Sequence, residues 1–168
     1  MPTSRPVQTQ GKLGDILSWY SDIEELKDEV EEWRDSIPEN LQSSDKYSQI
    51  DELVDKLGNA ARELEDSCNR IETILEEIPK GPGGVSVLNT LIRYTEHKMY
   101  KGYPTPRWVR LANPCAALGA AMQFIEDYIE EHGESLSKDY VDELQSIVES
   151  VNNTLEDIEG VEFPTMFG

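Results

Sequence analysis

The chain's 168 residues (19.1 kDa) carry 34 acidic against 15 basic side chains, giving a net charge of -19 and a pI near 4.3. This balance excludes a general binder of nucleic-acid backbone, which needs Lys and Arg to displace counterions from phosphates, and it favours a basic partner. At 38% hydrophobic the chain can fill a core, and its length fits one domain.

Residues 1–11 hold two prolines with Thr, Gln and Ser and show no period, which predicts a mobile arm ahead of a single all-α domain over 12–168. From Leu13 the apolar positions Leu13, Ile16, Tyr20, Ile23, Leu26, Val30, Trp33 and Ile37 step by three and four, one stripe of a helix. Pro38 ends it, and Ser43, Ser44 and Asp45 supply caps for the next. A second stripe runs Tyr47, Ile50, Leu53, Leu57, Ala60, Leu64, Cys68, Ile71, Leu75 and Ile78. Two long amphipathic helices joined by a short connection predict an antiparallel hairpin over 12–79, with limbs of roughly 40 to 50 Å.

Lys80-Gly81-Pro82-Gly83-Gly84 reads as a hinge, followed by a shorter helix through Val87, Leu88, Leu91, Ile92 and Tyr94 that fades near Gly102. The proline-rich stretch Gly102 to Pro114 reads as an irregular loop. Asn113 before Pro114 has the form of an N-cap with proline at the first helical position, opening a helix through His132. Its early turns hold Ala116, Ala117, Gly119, Ala120 and Ala121, small enough for another helix to approach closely. Gly133 stops it, and Ser135 or Ser137 caps a last helix with Tyr140, Leu144, Ile147, Val151 and Leu155 on one face. The tail from Val161 carries Phe163, Met166 and Phe167, which dock either on the body or on a partner. No strand with period-two alternation stands out, so the predicted fold is an all-α helical bundle of five helices, the long hairpin packed with about three further helices.

Charge divides the chain into three blocks. Residues 12–79 and 119–168 are strongly acidic, whereas 80–118 carry Lys80, Arg93, Lys98, Lys101, Arg107 and Arg110 against Glu96 alone. In the hairpin Glu24, Asp28, Glu31, Glu32 and Asp35 recur about once per turn, and Glu126, Glu130 and Glu131 repeat the theme later. Carboxylates there approach one per ~2.5 Å of helix, against one phosphate per ~1.7 Å of duplex, a density at which a protein surface can stand in for nucleic acid. The same faces also serve plain solubility. The middle block mixes Arg93, Lys98, Lys101, Arg107 and Arg110 with Trp108, a set that either meets a nucleotide or phosphate ligand or neutralises the acidic helices within the fold.

Catalytic and metal motifs are sparse. The glycines of 81–84 lack the Lys-Ser/Thr ending of a phosphate loop. Cys68, Cys115, His97 and His132 have no paired zinc spacing, and the two cysteines read as free thiols of a reducing compartment. Cys115, near the predicted helix start, is a candidate for a lowered pKa. Glu24-Glu25-Leu26-Lys27-Asp28 and Glu52-Leu53-Val54-Asp55 resemble the paired carboxylate motifs of the all-α nucleoside triphosphate pyrophosphohydrolases, with Asp28 where that family has glutamate. That resemblance implies Mg²⁺ held by Glu24, Glu25, Asp28, Glu52 and Asp55. The segment Trp33 to Gln42 between its two helices resembles small acidic helical-hairpin proteins encoded by bacteriophages, over residues 20–66; it implies a viral origin and an inhibitor of a host protein.

The sequence thus leads to a non-enzymatic acidic binding protein without a cofactor, occupying a basic surface on a protein partner that itself binds nucleic acid. A self-associating virion or assembly component and a Mg²⁺-dependent pyrophosphohydrolase are the alternatives. No window has the 18 apolar residues of a membrane span and Met1 to Leu13 is polar, so the expected location is the cytoplasm, that of the host if the origin is viral.

Overall fold

A computed structural model describes residues 4–80 and 84–164. In chain order it contains β1 (Ser4–Lys12), α1 (Leu13–Ile16), α2 (Tyr20–Asp35), α3 (Asp45–Glu77), β2 (Leu91–Met99), α4 (Arg107–His132) and α5 (Lys138–Glu159). The class is mainly all-α, with one small two-stranded sheet added.

The stripes fold as periodicity dictates. Leu13, Ile16, Ile23, Leu26 and Val30 are all buried, although a turn at residues 17–19 splits the first predicted helix into α1 and α2. Its amides bond carbonyls three residues back, Ser18 to Asp15 and Trp19 to Ile16, so the stripe continues through it. α3 runs 33 residues, about 50 Å at 1.5 Å per residue, and starts where the Ser44 side chain accepts from the Tyr47 amide. Ile50, Leu57, Leu64 and Ile71 on its stripe are fully buried, packed between α2 on one side and α5 on the other. The α2–α3 hairpin of the sequence reading is therefore present, with its first limb shorter than expected: α2 has 16 residues, about 24 Å.

Three expectations are overturned. Residues 4–12 are a strand, not an arm, and residues 91–99 are its antiparallel partner, not a helix. The register pairs Ser4 with Met99 and Lys12 with Leu91. Ile92 and Tyr94 turn inward while Leu91 is 60% exposed, the alternation of a half-buried strand. α4 begins at Arg107 and not at Pro114, which lies buried inside the helix. Proline there has no N–H for the Arg110 carbonyl four residues back.

Asn113 serves a strand and not a helix start. Its side-chain oxygen accepts from the His97 amide (2.8 Å) and its side-chain nitrogen donates to the His97 carbonyl (3.1 Å). One amide thereby acts as a short third strand on the outer edge of β2. Because His97 turns both backbone groups away from β1, antiparallel alternation puts those of residues 92, 94, 96 and 98 toward β1, and on β1 those of 5, 7, 9 and 11 toward β2. Pro6 then sits where its missing N–H breaks no ladder bond.

α4 ends at Gly133 and α5 starts after Ser137, as read. Val161 and Phe163 pack on the core; Met166 and Phe167 of the tail lie outside the described residues. Among the described residues no helix is long and apolar enough to cross a membrane.

Candidate functional site

None of the 34 acidic residues is buried. On α2 the carboxylate row is laced by two cations of its own helix. Lys27 lies 2.6 Å from Asp28 and 3.3 Å from Glu31, and Arg34 reaches Asp35 (3.1 Å) and, on α3, Asp51 (2.8 Å). Glu24 and Glu32 are exposed, and among the described residues neither has a cation within 4.0 Å. Glu126, Glu130 and Glu131 are exposed on the last turns of α4, where Glu126 accepts a hydrogen bond from the Asn152 side-chain amide (3.4 Å) and Glu131 lies 3.7 Å from His132.

The carboxylates with metal-ligand spacing do not assemble. Glu24 and Asp55 line one groove between α2 and α3, but Lys27, Arg34 and Arg62 line it too, and the Lys27 ammonium holds Asp28. Among the described residues no three His, Cys, Asp or Glu side chains are grouped to hold a metal ion, Glu24, Glu25, Asp28, Glu52 and Asp55 included.

The basic middle block separates into two parts. Arg107 and Arg110, in the first turn of α4, both turn to Glu29 of α2, Arg107 at 3.6 Å and Arg110 through a charge-assisted hydrogen bond. The Arg107 guanidinium also lies 4.5 Å from the Trp33 ring centroid. These two neutralise the acidic hairpin internally, the second of the alternatives open in the sequence. Arg93, Lys98 and Lys101 stay exposed on and after β2.

Trp108 points elsewhere. It is 49% exposed, and with Tyr100 (42%) and Tyr103 (53%) it places three exposed aromatics within nine residues. Its ring meets His97 edge-on, at 5.3 Å between centroids. It forms one wall of a groove of about 670 Å³ between β2, α4, the end of α5 and the segment after it, also lined by Leu111, Cys115, Leu155 and Phe163. Small residues leave this space open. Ala112, Ala116 and Gly119 give α4 no bulk there, and a Cβ on Gly119 would meet nothing within 4 Å. The run of small residues was expected to admit a close helix; Ala117 and Ala121 are fully buried as that requires, while Ala116 and Gly119 border open space. Glu156 and Glu159 on α5 supply the charge, and no lysine or arginine is among the lining residues described.

Cys115 is not an activated thiol. Burial first, and then the Glu159 carboxylate, push it up to about 12; burial and Glu72 do the same for Cys68. Both stay protonated near neutral pH, with a thiolate fraction about a thousandfold below that of an unperturbed cysteine. Iodoacetamide at pH 8 is expected to leave both unmodified in the folded protein and to label both after denaturation, read by intact mass; rapid labelling of Cys115 in the native state would contradict the placement.

No protein-family model matches the chain, and no curated protein or solved structure matches it either.

Proposed function

We propose that the protein acts by binding, its carboxylate-covered helices occupying a basic surface of a protein partner. What carries the reading is that every acidic side chain lies at or near the surface while intramolecular ion pairs engage few of them, chiefly Glu29, Asp28, Glu31, Asp35, Asp51 and Glu143. A surface so charged pays a self-repulsion that an external cationic face relieves. The carboxylate density along α2 and α3 and the resemblance of residues 20–66 to phage-encoded acidic hairpins favour a host protein that itself binds nucleic acid.

Glu24, Glu32, Glu126 and Glu130 are exposed and outside the ion pairs, so their replacement by lysine spares the fold. The quadruple variant is expected to capture its basic partner from lysate at least tenfold less well and with a flatter dependence on NaCl. Equal capture of the same protein by both forms at every salt step removes the reading.

A further inference from the structure

We infer that the groove between β2, α4 and the end of α5 seats an arginine side chain of the basic partner, the guanidinium bonded by Glu156 and Glu159 with its flat face on Trp108 and the stem against Leu111, Leu155 and Phe163. The inference rests on the proposed binding function and gives it an anchor point. Glu156 and Glu159 are three apart on α5, so they share a face and present their carboxylates together to the groove. A planar guanidinium can bond a carboxylate through two parallel N–H groups while its flat face lies on an indole, which an ammonium cannot do. Trp108 offers that indole, half-exposed, and Leu111, Leu155 and Phe163 offer apolar surface to the methylenes of the stem. The charge agrees at short and long range: no lysine or arginine is among the described residues that line the groove, the neighbouring Arg107 and Arg110 pair with Glu29, and the whole chain carries -19. A half-exposed Trp on the wall of a concave site that also holds Leu111, Leu155 and Phe163 is also the composition of interface hot spots. The volume of about 670 Å³ leaves room for an apolar residue flanking the arginine.

The test uses the full chain labelled with ¹⁵N and two blocked peptides, acetyl-Leu-Arg-Leu-amide and its citrulline counterpart, which keeps the shape and loses the charge. The readout is the indole N–H resonance of Trp108, distinguished from those of Trp19 and Trp33 by Trp108→Phe. The arginine peptide is expected to shift it saturably, and the citrulline peptide to bind at least tenfold more weakly. Glu156→Gln with Glu159→Gln should weaken the arginine peptide by a similar factor. Ala112→Leu, one turn from Trp108 on the face of α4 that lines the groove, should abolish the shift. Equal binding of both peptides, an unmoved Trp108 resonance, or an unaffected Ala112→Leu variant overturns the inference. The four-lysine variant separates the two ideas, because it should keep the Trp108 response within threefold. If partner capture falls in that variant while the wild-type Trp108 stays silent to arginine, the groove fails and the acidic faces stand. If Trp108 responds and capture is unchanged, the groove stands alone.

Discussion

Leu64→Ala is expected to destabilise the protein by about 3 kcal/mol, within the span of ~2.7 to 5 kcal/mol for leucine truncations in well-packed cores. Leu64 is fully buried at the middle of α3, the helix that packs against both α2 and α5. With α3 held from both sides the void closes only in part, so the loss of transfer energy is joined by a cavity cost. At this chain length each kcal/mol lowers Tm by roughly 2 to 4 °C, so the midpoint should fall by about 6 to 12 °C in thermal unfolding followed by circular dichroism. A shift under 2 °C would mean that α3 is not the shared wall of the core.

Asn113→Ala is expected to cost about 2 kcal/mol, and its effect should be local in a way the leucine change is not. The substitution leaves the His97 amide and carbonyl, both part-buried, without the side chain that serves them. An unsatisfied backbone group costs ~1 to 3 kcal/mol, reduced here by partial access to water. Hydrogen exchange of the β1 and β2 amides should speed up by tenfold or more, with the centre of α3 unchanged. Asn113→Asp tests the dual role, since a carboxylate still accepts from the amide but cannot donate to the carbonyl. It should recover part of the loss and no more; full recovery would show that the second bond contributes nothing.

Asn113 also explains where sequence reading stops. Residues that signal through their own neighbours were legible: the three-and-four spacing from Leu13 to Ile37 and from Tyr47 to Ile78 marks the buried faces of α1 to α3, and Gly133 marks the end of α4. Asn-Pro at 113–114 has the local form of a helix start, yet Asn113 answers a strand 16 residues away in sequence and Pro114 rides inside a helix already under way. β1 was illegible for the same reason. Val7 is its only large apolar residue, and what makes it a strand is β2, some 87 residues later. Trp108 was singled out with the cations around it, but the structure divides that set, sending Arg107 and Arg110 to Glu29 and leaving Trp108 to a groove completed by Glu156, Glu159 and Phe163. No spacing rule links residues so far apart. The acidic rows were legible as composition, whereas Lys27 and Arg34, which claim part of them, required geometry.

The pairing of β1 with β2 has a consequence in time. Leu13 donates to the Thr90 carbonyl, so the ladder closes on the ends of a loop that contains the whole α2–α3 hairpin. On a ribosome adding ~5 to 20 residues per second, β1 waits roughly 4 to 18 s for the last residue of its partner. During that wait α2 and α3, whose contacts are nearer in sequence, can already meet and draw the two ends together. The first strand made is thus among the last to find its place.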